Sequence, residues 1–234
     1  MARRVLTLWN NIINLIYPNV CIGCDQDIAV KDSLFCMDCS SKVSYTIHFK
    51  NRNNDLLSRL GPRVELSCAA ALYNFIKGGR VRQLVHSLKY KKRQDIGHVL
   101  GKEYGRHLLR STWHTPTDFL IPIPIHKKRL ATRGYNQSLE FAKGITEVTG
   151  IPIRKNVLIK TSEIKSQTKK SREDRFANVL DSFSLKKTEG LEGKTIMIID
   201  DVLTTGATIE AAYTRLKTIP NINIQLGLIA LADE

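Results

Sequence analysis

From residue 66 onward the chain alternates between two kinds of apolar pattern. Leu66–Phe75 is an apolar run that stops at Gly78-Gly79, and it predicts a strand. Val81–Leu88 predicts a short helix. In Ile96–Leu109 the residues Ile96, Leu100, Tyr104 and Leu108 recur at helical spacing. Phe119–Ile125 predicts a strand interrupted by Pro122 and Pro124, Ser138–Val148 a helix, and Val157–Ile159 a short strand. Thr195–Ile199 is unbroken apolar sequence between Lys194 and Asp200, the pattern of a strand buried on both faces. Ala207–Leu216 predicts a helix and Ile222–Leu231 a closing strand. Alternating strands and helices predict an α/β protein with a mainly parallel, doubly wound sheet. Such sheets bind ligands at the carboxyl ends of their strands.

The first 64 residues follow another plan. Leu6, Trp9, Ile13 and Ile16 lie on one face of an amphipathic helix that Tyr17-Pro18 would end. Arg3 and Arg4 ahead of apolar residues imitate a signal peptide. Asn10, Asn11 and Asn14 break the apolar run, and no small-residue cleavage site follows. No apolar stretch reaches the length of a membrane span. The expected location is therefore the reducing cytoplasm, where the five cysteines would not form disulfides. Four of them fall in the pattern Cys21-x2-Cys24-x11-Cys36-x2-Cys39. Two such knuckles bring four thiolates to a tetrahedral centre, which suits a structural Zn²⁺ ion; Gly23 eases the turn in the first knuckle. The alternative is a redox pair, or cysteines that are merely close. Cys68 reads as a small buried hydrophobe. Residues 40–64 are polar and read as a linker. Residues 1–64 are thus expected to hold the helix, ribbon and linker, and 65–234 the α/β domain.

Composition adds a charge anomaly. Lys and Arg number 36 against 22 Asp and Glu, a net charge of +14. The cations concentrate in residues 76–106, 126–133 and 160–175, which suggests a polyanionic partner. A solvated surface is the alternative. The sharpest motif runs from Ile196 to Thr208: a buried strand delivers Asp200 and Asp201, and Thr204-Thr205-Gly206 then opens a helix. Backbone amides converging at a helix N-terminus, with Thr hydroxyls beside them, cradle phosphate. Two adjacent carboxylates suit a vicinal diol, or hydrated Mg²⁺ beside sugar hydroxyls. A plain strand–turn–helix would account for one acid and one capping Thr.

Asp200-Asp201-Val202-Leu203-Thr204-Thr205-Gly206-Ala207-Thr208 resembles the phosphoribosyl-pyrophosphate (PRPP) motif of type I phosphoribosyltransferases. The four-Cys ribbon, Leu88-Lys89-Tyr90, the segment Ile121-Pro122-Ile123-Pro124-Ile125-His126 and the following Arg133-Gly134-Tyr135-Asn136-Gln137 resemble the ComF/ComFC competence proteins. So do Gln167, Arg175 and Asn178 in a basic loop. The resemblance implies a type I phosphoribosyltransferase-like domain behind a zinc ribbon. Asp200 and Asp201 would bind the ribose hydroxyls, and Thr204, Thr205, Gly206, Ala207 and Thr208 the 5′-phosphate. The loop from His126 through Arg129 to Arg133 would hold pyrophosphate with Mg²⁺, under a hood formed by residues 160–178. The surplus charge points to single-stranded DNA, with Lys89, Lys91, Lys92 and Arg93 as contacts and Tyr73, Phe75, Tyr90 and Tyr135 as stacking surfaces. Three functions follow: a competence factor that handles single-stranded DNA, an active phosphoribosyltransferase, and a scaffold docking a helicase or recombinase loader.

Overall fold

The computed structural model describes residues 20–28, 33–61, 63–111, 116–161 and 182–232. The expected N-terminal helix, and nearly all of the expected hood with Gln167, Arg175 and Asn178, lie outside the described residues.

Helices α1 (Met37–Ser41) and α2 (Asp55–Leu60) precede strand β1 (Cys68–Phe75). Next come α3 (Arg80–Tyr90), α4 (Gln94–Arg110), β2 (Phe119–Pro122), α5 (Lys127–Arg133) and α6 (Gln137–Thr149). The chain closes with β3 (Leu158–Lys160), β4 (Phe183–Leu185), β5 (Thr195–Leu203), α7 (Ala207–Leu216) and β6 (Asn223–Ala232). The main sheet has the order β1-β6-β5-β2, and every pairing in it is parallel. Strands β3 and β4 form a separate antiparallel pair.

Alternation along β5 explains the two layers. Ile196 and Ile198 face a cluster that includes Leu60 of α2 and Ile209 and Leu216 of α7. Met197 and Ile199 face the other cluster, with Leu84 and Leu88 of α3, Leu100 and Tyr104 of α4, and Phe141 of α6. A strand buried on both faces has no polar face to show, hence the unbroken apolar run in the sequence.

Helices α4 and α6 meet backbone to backbone. A Cβ on Gly144 would lie 2.1 Å from the His98 carbonyl oxygen, and one on Gly101 equally close to that of Phe141. Gly97 and Gly105 continue the same face one turn on either side, so the glycines at four-residue intervals form the contact.

Three sequence expectations change. Residues 40–64 are packed rather than loose. Leu56 and Leu60 are fully buried in α2, which Asn54 caps by accepting from the Leu57 amide at 3.2 Å. His48 is buried; its Nδ1 accepts from the Ala71 amide at 3.1 Å, so Nε2–H faces Asp55 Oδ1 at 2.7 Å. Second, β2 ends at Pro122 rather than at Ile125; a proline is tolerated there because β2 is an edge strand, and the Ile123 amide still donates to the Ile199 carbonyl at 2.9 Å. Third, His126–Arg133, expected as a loop, contains α5. It has no buried residue and so left no apolar periodicity to read.

A Gly144→Ala substitution should destabilise the fold by about 3 kcal/mol, because a carbonyl cannot yield as a side-chain tip can. Urea unfolding measures this, and a loss under about 0.5 kcal/mol would contradict the close contact.

Candidate anion-binding cleft and metal centre

The strand β5 remains hydrogen-bonded to β6 through Leu203, so Asp200 and Asp201 stand within its last turn of ladder rather than beyond it. The chain then turns at Gly206, which adopts φ +80 as N-cap of α7. A side chain there would be strained, and its Cβ would lie 2.8 Å from Leu60 Cδ2. The turn is braced from behind by α2. Arg59 Nη2 donates to the Thr204 carbonyl at 2.9 Å, and Arg63 Nη1 to the Thr205 carbonyl at 3.1 Å. Both carbonyls are thereby held by guanidinium groups.

In front of this turn lies a cleft of about 370 Å³. Asp200 and Asp201 form its floor with Ser138, while Thr204 and Thr208 line it at the helix α7 end. Lys89, Arg129, Arg133 and Lys160 supply cations around it. Asp200 Oδ1 accepts from Ser138 Oγ at 3.0 Å and from the Asp201 amide at 2.9 Å. Burial, and next the charge of Asp201, push the Asp200 carboxyl up from 3.8 to about 7. Asp201 makes an ion pair with Lys89 at 3.0 Å and accepts from the Val202 amide at 2.7 Å. Burial lowers the Lys160 ammonium from its ordinary value, with Asp200 opposing.

The predicted residues divide. Asp200, Asp201, Thr204, Thr208, Arg129, Arg133 and Lys89 converge on the cleft. Thr205, Gly206 and Ala207 shape the turn and first helical residue but do not line the cleft. His126 caps α5, its Nδ1 accepting from the Lys128 amide at 3.3 Å. Lys91 and Lys92 are exposed just past α3, and Arg93 is engaged by Asp95 through contacts of 2.7–3.0 Å. Of the aromatic residues, Tyr73 is buried and donates to Glu103 at 2.8 Å, and Tyr135 is buried with its hydroxyl on the Leu88 carbonyl. Phe75 lines the cleft, and Tyr90 alone of the four is exposed.

Sequence reasoning missed Arg59, Arg63, Ser138 and Gln137. The signal for the two arginines was Asn54 followed by Leu56, Leu57 and Leu60 with Gly61 behind, a capped amphipathic turn inside a polar stretch. Gln137 is buried; its Oε1 accepts from Arg133 Nη1 at 3.1 Å, and its Nε2 has no partner among the described residues. The sequence marked it only as the end of the Arg133–Gln137 motif, with no role of its own.

Across the molecule, the Sγ atoms of Cys21, Cys24, Cys36 and Cys39 all lie within 4.8 Å of one another, and Cys24 and Cys36 are 3.7 Å apart. Four thiolates about 2.3 Å from one tetrahedral ion would be about 3.8 Å apart, so the cluster fits a metal such as zinc. Amides of Gly23 and Cys36 donate to Cys21 Sγ at 3.4 and 3.3 Å. Burial pushes the Cys21 thiol up, but these amides prevail and leave it at about 6, whereas burial and the neighbouring thiols push Cys39 to about 12. A divalent cation removes that conflict. A Cβ on Gly23 would meet Cys39 Sγ at 2.8 Å, and the Gly23 carbonyl accepts from Arg80 of α3, which ties the cluster to the body. Cys68 is buried and its thiol is raised to about 11 by burial, as a small hydrophobe should be. No helix among the described residues is long and apolar enough to cross a membrane.

Residues 137–228 match the phosphoribosyl transferase domain. Competence protein F of Haemophilus influenzae is 24% identical over 94% of this chain and 93% of its own length. The DNA utilization protein YhgH of Salmonella typhi is 28% identical over 54% of this chain and 56% of its own. Competence protein ComFC of Bacillus subtilis is 35% identical over 40% of this chain and 35% of its own. A hypothetical protein from Neisseria gonorrhoeae with bound ppGpp overlaps 57% of this chain and 66% of its own, at 13% identity and a TM-score of 0.36.

Two outcomes are expected. The raised Asp200 carboxyl means the folded protein keeps a proton that the unfolded chain loses near pH 3.8, so stability falls as pH rises from about 3.8 to about 7. Asp200→Asn removes that penalty. It should be neutral near pH 4, increasingly stabilising up to pH 7, and stabilising by about 4 kcal/mol above that. Thermal unfolding across pH checks this, and a flat difference would refute it. Elemental analysis of protein purified without chelator should find one thiolate-bound metal per chain, falling below half in Cys36→Ser.

Proposed function

Because this chain is a homologue of competence protein F, ComFC and YhgH built on a phosphoribosyl transferase domain, we propose that it binds PRPP with Mg²⁺ and handles single-stranded DNA during DNA uptake. One observation carries the PRPP reading. Adjacent carboxylates at the end of β5 lead straight into a braced turn at a helix N-terminus, opposite Arg129 and Arg133. In this reading the turn amides with Thr204 and Thr208 hold the 5′-phosphate. Asp200 and Asp201 accept from the ribose 2′ and 3′ hydroxyls, and this pulls Asp200 toward its ionised form. Lys89, released from Asp201, joins Arg129 and Arg133 around the pyrophosphate. Mg²⁺ supplies charge neutralisation of the pyrophosphate when bound. The names of the relatives, and the surplus of cations beyond the needs of one PRPP, support the DNA half. The four thiols hold structural zinc, which suits a reducing cytoplasm.

The cationic wall also favours a second reading, phosphoribosyl transfer to an acceptor. There the C1–oxygen bond breaks, pyrophosphate leaves with the electron pair, and the acceptor's lone pair closes the new bond. Arg129 and Arg133 would stabilise the leaving charge, and the carboxylates the cationic sugar. A helicase or recombinase loader docking on the ribbon is compatible with either reading.

Calorimetry with Mg·PRPP tests the site. Asp200→Ala/Asp201→Ala should bind at least about a hundredfold more weakly, from two charge-assisted hydrogen bonds. Unchanged affinity would overturn the assignment. Pyrophosphate release on adding candidate acceptors separates transfer from binding. Oligonucleotide affinity should fall with salt at a log–log slope of about −0.7 per phosphate contacted.

A further inference from the structure

Beside the cleft lies a second concavity of about 400 Å³, lined by Lys89, Tyr90, Lys92, Lys128, Arg129 and Arg133 with no acid among its lining residues. Three of these cations, Lys89, Arg129 and Arg133, also line the cleft. The groove and the cleft are therefore two anion sites with one set of charges between them. Tyr90, at 65% exposure, is the groove's aromatic surface. The Arg133 guanidinium lies 5.5 Å from its ring centroid, and His86 packs 4.9 Å from it on α3. Arg133 is held on its other side by Gln137 of the cleft, so it spans both sites.

An exposed aromatic ring among cations fits a single-stranded nucleic acid better than an acidic peptide. Unpaired bases offer faces to stack on while the phosphates take the cations. A duplex keeps its base faces covered.

We propose that this groove seats single-stranded nucleic acid with a base on Tyr90, and that Mg·PRPP in the cleft and the strand in the groove oppose each other's binding through Lys89, Arg129 and Arg133. This rests on the PRPP reading above and specifies its regulation. The opposition is reciprocal by linkage: whatever factor PRPP takes from the strand's affinity, the strand takes from PRPP's. Strand release would then follow rising PRPP.

Fluorescence anisotropy of a labelled oligothymidylate, at fixed free Mg²⁺ and ionic strength, tests it. Saturating Mg·PRPP should weaken the wild-type affinity about tenfold or more, and inorganic sulfate at matched ionic strength should not. Tyr90→Ala should weaken the oligonucleotide about tenfold and leave calorimetric PRPP affinity within about twofold. Thr208→Val, outside the groove, should weaken PRPP alone. In Arg129→Ala both ligands bind more weakly, and the opposition shrinks to under about threefold. Circular dichroism controls for folding in each variant. Unchanged oligonucleotide affinity in saturating PRPP would overturn the inference while leaving the PRPP site standing. Equal displacement by polyglutamate, or no effect of Tyr90→Ala, would overturn the base seat. Failure of the wild type to bind PRPP would instead overturn the reading beneath it.

Discussion

Two carboxylates on consecutive residues at the end of a buried strand repel each other, and neither has enough water to disperse its charge. Much of the cleft answers that problem. Ser138 and the Asp201 amide donate to Asp200, Lys89 crosses from α3 to Asp201, and Asp200 retains a proton up to about pH 7. Local sequence places the acids next to each other, and the sheet order places helices from both halves of the chain close enough to compensate them.

The basic excess has a more divided meaning than its total suggests. Arg59 and Arg63 hold backbone carbonyls, Arg80 fixes the thiol cluster, Arg93 pairs with Asp95, and Lys102 with Glu147. These cations are parts of the scaffold. Lys89, Arg129 and Arg133 instead line two neighbouring concavities at the junction of α3 and α5.

The central strands and the long helices were legible because burial imposes a period on sequence. Thr195–Ile199, Ile96–Leu109 and Ala207–Leu216 each carried that signature and each lies inside the observed element. The acidic pair, two of the threonines and the four cysteines stood out by their spacing, and the fold gathers the first four residues around one cleft and the cysteines into one cluster. Helix α5 was not legible, since an element with no buried side chain has no pattern to display. Nor were the arginines behind the turn. Their partners are main-chain oxygens about 140 positions away, and a carbonyl has no residue type. The three-dimensional partner of Ser138 was hidden for the same reason, 62 positions along the chain.

The stretch matched by the phosphoribosyl transferase domain begins at Gln137, yet the turn it contains is shaped from outside it. Leu60 fills the space that keeps residue 206 a glycine, and Arg59 and Arg63 orient the carbonyls on either side. Arg59 and Leu60 belong to a short helix near the start of the chain, and Arg63 to the turn just after it. Evolutionary transplantation of the matched segment alone would carry the acids and threonines but leave their turn without its backing. The boundary that a recurring sequence motif draws and the boundary of the smallest piece able to keep its shape are, in this protein, different lines.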